Sequence, residues 1–394
     1  MRGDASKALL PDGLRDALPP EAAQEAAIRR GLIASFEAEG YQRVDPPLVE
    51  FEDSLLDGPG AAVAAQTFRL MDPVSQRMMG VRADMTVQVA RIAVSRLARQ
   101  ARPLRLCYAG QTLRVRGAQL RPERQVTQAG CELIGADGPA ADAEAIALAG
   151  NALAAAGLVD LSVDIALPTL APALFVELEL DEAARRAARA ALDSRDAAAV
   201  AALAGPAAGA LGALLDASGP ADEALAALKA LRLPDEAAAE VDRLAAVLPQ
   251  LARAAPHLAV TVDAVERRGF EYQTGLSFTF FAKGVRGELG RGGRYAAGAG
   301  SACGGEPATG FSLYLDSVMR GAPAPAAPRR CFLPAEIAPA AGPRLRAAGW
   351  ITLAGLEPGV GARDEARRLG CSHYLDPEAG ADGEPRALGD RAPD

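Results

Sequence analysis

Between residues 273 and 295 the chain alternates in the manner of two strands. Phe278 and Phe280 interleave with Ser277, Thr279 and Phe281, Gly284 and Gly287 bracket a turn, and residues 288–291 return. Period-two alternation on both sides of a glycine turn predicts an antiparallel hairpin. Just before it, Arg268, Glu271, Tyr272, Gln273 and Thr274 are too polar for a core strand. That leaves two readings of the run, a cavity lining and a solvated strand edge. Strand patterns also cover 104–113, 125–135, 161–165 and 258–262, with a shorter pair at 67–71 and 78–82 joined by Asp72-Pro73-Val74-Ser75. Helical spacing runs through 20–39 (Ile28, Leu32, Ile33, Phe36) and stops at Gly40. It recurs at 140–157, at 86–99 with the 84–86 stretch and Asp84 as cap, and at 310–319. The extended segment after Gly40 is interrupted by Pro46 and Pro47, which suits an edge strand or a dimer seam.

From 166 to 257 the composition shifts to Ala, Leu, Arg and acids, with breaks at Gly205-Pro206, Ser218-Gly219-Pro220 and Leu233-Pro234. Leu225, Leu228 and Leu231, then Val241, Leu244, Val247, Leu248 and Leu251, recur three and four apart, a packing pattern. The segment reads as a helical insertion in a core made of 1–165 and 258–321. Residues 322–328, rich in Ala and Pro, read as a linker. Beyond it, 329–394 reads as a small α/β region with strands near 331–336, 347–356 and 373–375 and a helix at 361–369. The expected class is α+β.

Composition narrows the function. A chain of 394 residues is too long for one ordinary core, and aromatics at 4% make that core aliphatic. A net charge of −8 disfavours a surface that grips nucleic acid throughout. Locally the balance reverses, because Arg91, Arg96, Arg99, Arg102, Arg105, Arg114, Arg116, Arg121 and Arg124 face only Glu123 in that stretch. Such a patch holds phosphates or a polyanion, or faces an acidic partner, and the sequence does not choose. Five scattered cysteines and two isolated histidines, His257 and His373, give little material for a disulfide framework, a zinc site or a Ser-His-Asp triad. No metal and no cofactor is expected. There is no apolar leader and no run of about 18 uncharged apolar residues, so a cytoplasmic protein with no membrane partner is expected.

Arg268-Gly269-Phe270-Glu271-Tyr272 followed by Gly292-Gly293-Arg294-Tyr295 resembles the Arg-Gly-Leu-Asp-Tyr and Gly-Gly-Arg-Tyr signatures of histidyl-tRNA synthetases. The likeness extends over residues 9–320, the insertion being matched by position alone. It implies a class II aminoacyl-tRNA synthetase-like antiparallel sheet flanked by helices and a homodimer built through the first motif, residues 20–51. Arg82-Ala83-Asp84-Met85-Thr86 is similar to the family's Arg-Pro-Glu-x-Thr, whose carboxylate meets the amino group of histidine; Asp84 is one methylene shorter. Gln128 and Glu132 fall on the Gln-x-x-x-Glu pair that meets histidine, and on a strand positions four apart share a face. Arg114 falls on the arginine that holds the ATP α-phosphate and the amino-acid carboxylate. The implied histidine pocket is Asp84, Thr86, Arg114, Gln128, Glu132, Arg268 and Tyr272, with Arg268 on the ligand carboxylate.

The nucleotide side departs from that family. Arg116 stands where synthetases have a Glu, Ser317 falls on the arginine that clamps the γ-phosphate, and Gln273 replaces a tyrosine. Of the motif loop only the last arginine of Arg121-Pro122-Glu123-Arg124 keeps its register. A synthetase fold that keeps amino-acid ligands and loses ATP ligands resembles the regulatory subunits of ATP phosphoribosyltransferase, the first enzyme of histidine biosynthesis. The short C-terminal region is similar too. This resemblance implies a non-catalytic partner of a short catalytic subunit, with L-histidine as feedback effector and no tRNA. The alternatives are an active histidyl-tRNA synthetase, which Arg116 and Ser317 oppose, and a tRNA-binding paralogue that works through its arginines.

Overall fold

The computed structural model describes residues 9–56, 58–117, 121–203, 206–266, 273–298, 305–325 and 327–389. It separates into two units, Met1–Pro323 and Ala324–Asp394.

The first unit is built on a nine-stranded sheet. Its order is Gln42–Arg43, Leu104–Leu113, Gln125–Ile134, Glu306–Tyr314, Gly290–Ala297, Gln273–Ala282, Leu161–Ala166, Ala259–Asp263 and Ser218–Pro220. Neighbours run antiparallel except for the first pair and the pairing of Leu161–Ala166 with Ala259–Asp263. The hairpin read from the phenylalanine alternation is present, with Gly284 and Gly287 both at positive φ in its turn. Gln42–Arg43, ahead of the two prolines, takes the sheet edge, where a missing N–H breaks no ladder.

Both faces of the central strands are covered. On one face the helices Glu21–Ala38 and Pro139–Ala155 bring Leu32, Ile33, Phe36, Ile146 and Leu153 against Phe278, Phe280, Phe311 and Leu313. Phe36 meets Phe311 edge-on at 5.5 Å. Pro139–Ala155 is mostly Ala and buries Ala141, Ala145, Ala149 and Ala152, so its backbone lies close against the sheet. The opposite face carries the helix Thr86–Ser95, whose Val89, Ala90 and Ala93 pack with Met85, Leu104, Leu106, Tyr108 and Tyr295.

Three expectations change. Residues 306–314 form a central strand and only Leu315–Gly321 is helical, because Phe311 and Leu313 alternate into the core while Gly310 and Ser312 face the other side. The helix after Asp84 is capped at Met85 and ends at Ser95; Asp84 accepts the Thr86 N–H at 2.8 Å instead. Among the described residues of 166–257 helices predominate, with one short strand at Ser218–Pro220, yet Leu170, Leu174, Leu211, Leu244 and Leu251 bury into the same core as the sheet and not into one of their own. The link is partly ionic. Arg294, 4% exposed, pairs with Asp142 at 2.9 Å and Asp137 at 3.0 Å, and Arg243 of the helix Asp235–Ala254 reaches both acids at 3.4 Å.

The second unit is a four-stranded sheet ordered Ile351–Ala354, Arg330–Leu333, His373–Tyr374 and Arg386–Ala387. Cys331 and Leu333 face Leu345, Trp350 and Leu375, while Phe332 faces Ala362, Ala366 and Tyr374. The helix Ala338–Ala347 escapes the sequence pattern because Pro339, Gly342 and Pro343 read as breakers. Pro339 sits in the first turn, where the missing N–H has no partner to lose. No helix among the described residues is long and apolar enough to cross a membrane.

Candidate functional site

On the sheet face that carries Thr86–Ser95, alternation along Gln125–Ile134 points Gln128, Gly130 and Glu132 the same way. Tyr108 lies opposite Gly130 on one neighbouring strand and Ser312 opposite it on the other. A Cβ on Gly130 would stand 2.6 Å from the Tyr108 hydroxyl, so only glycine lets the ring cross to Ser312 Oγ at 2.9 Å. Gly310, opposite Glu132, plays the same part: a Cβ there would stand 1.9 Å from Glu132 Oε2.

Glu132 is 1% exposed. Tyr295 donates to its Oε2 at 2.8 Å and Tyr108 to its Oε1 at 3.2 Å. No Lys, Arg or His forms an ion pair with it among the described residues. Burial pushes its carboxyl up to about 8, against hydrogen bonds from Tyr295, Thr86 and Tyr108 that pull it down, and nearby Asp84 adds to the rise. A second buried acid thus stands beside the first. Asp84 is 2% exposed and receives Gln128 Nε2 at 2.9 Å on Oδ2.

A cavity opens over this group, with about 380 Å³ of empty space, open solvent included. Thr86, Glu132, Gln273, Arg291, Tyr295 and Tyr314 are on its walls. One acid, the hydroxyls of Thr86, Ser312 and the tyrosines, and one arginine around it, with Asp84 behind, are donors and acceptors of the kind a zwitterion with a cationic group needs.

Of the residues expected from the sequence, Asp84, Thr86, Gln128 and Glu132 come together here. Gln128 does not address the cavity. Its Nε2 donates to Asp84 and Ser312 and its Oε1 accepts the Met85 N–H at 3.0 Å, so it holds Asp84 in place. Arg114 stands apart from the Glu132 cavity. Its Nε donates to the Ala83 carbonyl at 3.3 Å and its side chain lines a neighbouring cleft. Arg268 and Tyr272 lie outside the described residues. Tyr108, Tyr295, Arg291 and Ser312 carry no role in the sequence reading, although Tyr295 ends the Gly-Gly-Arg-Tyr run. Only cross-strand register shows that Tyr108 and Ser312 meet over Gly130.

The neighbouring cleft encloses about 1910 Å³ of empty space, open solvent included. Arg114, Arg116, Arg121, Arg291 and Arg320 line it with one acid, Glu288. Arg291 faces both spaces. Elsewhere Asp164, Asp263 and Glu266 bring carboxylate oxygens within 4.8 Å of one another. Asp263 is already paired with Arg195 and accepts the Val265 and Glu266 N–H groups, each at 3.1 Å, so it serves the loop it begins.

Comparison with known proteins adds to the geometry. The family model described as histidyl-tRNA synthetase matches residues 13–318. The ATP phosphoribosyltransferase regulatory subunit of Rhodospirillum centenum is 57% identical over 93% of this chain and 94% of its own. The protein of the same name from Gluconobacter oxydans is 46% identical over 93% and 95%. Among solved structures, an ATP phosphoribosyltransferase regulatory subunit/histidyl-tRNA synthetase from Bacillus halodurans superposes with a TM-score of 0.77 at 24% identity, covering 93% of this chain and 96% of that one. Histidyl-tRNA synthetase from Nostoc matches with a TM-score of 0.77 at 18% identity, over 93% and 91%, a likeness of fold.

Proposed function

The chain belongs to the ATP phosphoribosyltransferase regulatory subunit family, and from that premise we propose that it binds free L-histidine in the Glu132 cavity as a feedback effector. It associates with and activates the catalytic subunit of ATP phosphoribosyltransferase and has no catalysis of its own. The observation that carries the reading is the buried carboxyl of Glu132, held by two tyrosines, facing a small cavity, and ion-paired to none of the described residues. An ammonium or imidazole N–H arriving there supplies the missing charge. Asp84, fixed by Gln128, supplies a second acceptor, and Arg268 is assigned the ligand carboxylate on sequence grounds. The effect of histidine on the partner then follows by linkage, since a ligand that favours one state of a complex shifts the complex toward it.

Adenylation is not part of this function. Arg116 replaces the acid that places the nucleotide in synthetases, and Ser317, fully buried, replaces the γ-phosphate clamp. Self-association of the chain through residues 20–51 is part of it, consistent with the edge position of Gln42–Arg43 and the exposed Leu48.

Co-expression with a catalytic subunit tests the reading directly. The two chains should purify together, the complex should lose activity on adding histidine, and the chain alone should sediment as a dimer and show no histidine-dependent ATP–pyrophosphate exchange. Exchange at a rate typical of a synthetase, or failure to bind histidine in calorimetry, would overturn it.

A further inference from the structure

We propose that Tyr108, which does not line the Glu132 cavity, is a positioning residue that keeps Glu132 an acceptor of hydrogens and so sets the pH at which a cationic ligand is held. The ligand's identity in this inference rests on the effector reading, and the role of Tyr108 rests on hydrogen-bond geometry. Thr86, Tyr295, Ser312 and Tyr314 reach the cavity. Tyr108 is fully buried and meets only the back of Glu132.

The direction of each hydrogen follows from one fixed end. Gln128 Oε1 accepts the Met85 N–H at 3.0 Å, so the amide nitrogen faces the other way and gives its two hydrogens to Asp84 Oδ2 at 2.9 Å and to Ser312 Oγ. Ser312 Oγ, already an acceptor, lies 2.9 Å from the Tyr108 hydroxyl and gives its own hydrogen there. The Tyr108 hydrogen then goes to Glu132 Oε1 at 3.2 Å, the Phe311 carbonyl at 3.5 Å being the longer alternative. Reversing the Ser312–Tyr108 bond would take that hydrogen from the carboxyl, which is the stronger acceptor. Tyr295 donates to Oε2 at 2.8 Å from the next strand but two. Both oxygens of Glu132 are thus met by donors.

Few other groups act on this acid. Leu104–Leu113 brings Tyr108, Gly290–Ala297 brings Tyr295, the head of Thr86–Ser95 brings Thr86 with Asp84 before it, and Glu306–Tyr314 brings Gly310 and Ser312, neither titratable. Arg291 on the cavity wall interacts with Tyr314, Glu288 and Asp84. Cys131, next to Glu132 on its strand, packs into the core of the opposite face. Burial raises the Glu132 carboxyl, hydrogens from Tyr295, Thr86 and Tyr108 lower it, and Asp84 adds to the rise. Without the Tyr108 hydrogen the acid shifts toward its neutral form, and near neutral pH a cation loses its charged acceptor. At a pH where Glu132 ionises in any case, little is lost.

The test reads Glu132 first without ligand. Carbon-13 NMR of the glutamate carboxyl groups in the labelled full chain, assigned with Glu132→Gln, gives its titration midpoint. Tyr108→Phe keeps the ring and drops the hydroxyl, and should raise the midpoint by about one pH unit, a tenfold change in proton affinity. Ser312→Ala leaves Tyr108 unaligned and should raise it by less; if Tyr108→Phe does not fold, this variant decides. Calorimetry with L-histidine follows. Tyr108→Phe should bind about tenfold more weakly than wild type at pH 6.5 and within about threefold of it at pH 9, the ligand's own titrations cancelling in the ratio. A midpoint unmoved by the substitutions, or a deficit equal at both pH values as a merely structural defect would give, would overturn the proposal. Midpoints that move while the wild type binds no histidine would remove the effector reading and leave the hold of Tyr108 on Glu132 in place.

Discussion

Tyr295 donates its phenolic hydrogen to Glu132 across two strands, 163 residues apart in sequence and 2.8 Å apart in space. Both groups are buried, and no opposite charge is paired with the acid among the described residues. The carboxyl is therefore easier to keep neutral than charged, and its burial raises it to about 8.

Stability should carry that signature. A carboxyl whose folded value lies near 8 and whose ordinary value is 4.5 binds a proton more tightly in the native state, so its contribution is complete below 4.5 and declines as pH rises toward 8. Glu132→Gln cannot ionise. Chemical denaturation at pH 5.5 and 8.5 should show the wild type losing on the order of a few kcal/mol more than Glu132→Gln over this interval. Equal losses would mean the carboxyl is solvated.

Feedback should separate from activation. On the proposed reading, Glu132→Ala and Arg268→Ala each remove one contact to histidine, and a loss of roughly 30-fold or more in affinity is expected. Complexes with the catalytic subunit should stay active while their inhibition moves to higher histidine by the same factor. Calorimetry and inhibition curves on the same samples check this, and wild-type affinity in both variants would place the effector elsewhere.

Gly310→Ala should act on the same carboxyl without touching its chemistry. The added methyl would lie 1.9 Å from Glu132 Oε2 and 2.6 Å from the Cys131 carbonyl, and a backbone oxygen in a central strand cannot move aside. Overpacking of this kind costs about 1 to 3 kcal/mol. The expected result is a lower unfolding midpoint together with weaker histidine binding.

Arg294→Ala should separate fold from site. Arg294 sits beside Tyr295 but projects to the other sheet face, where it pairs with Asp142, itself fully buried. Removing it strands that acid, with Arg243 at 3.4 Å as partial compensation, so about 3 kcal/mol of destabilisation is expected. Well below its unfolding temperature the variant should bind histidine as the wild type does.

Sequence alone determined the elements whose signals are local. Alternating phenylalanines with Gly284 and Gly287 specify the hairpin, Ile28 to Phe36 the first helix, and Ala-rich periodicity the helices of 166–257. The resemblance to the family motifs singled out Asp84, Thr86, Gln128 and Glu132 as neighbours, and the fold does bring these four together. Tertiary structure decided what those residues do. Whether Gln128 faces a ligand or holds Asp84 depends on Ser312, which is 184 positions away. Cross-strand register brings Gly310 beneath Glu132 and makes room for its carboxyl. The nine arginines read as one patch until acids on distant elements, Glu50, Glu144 and Glu306, claim three of them and the fold gathers three others into a cleft. Charge and burial depend on which strands and helices become neighbours, and period and spacing along the chain do not contain that information.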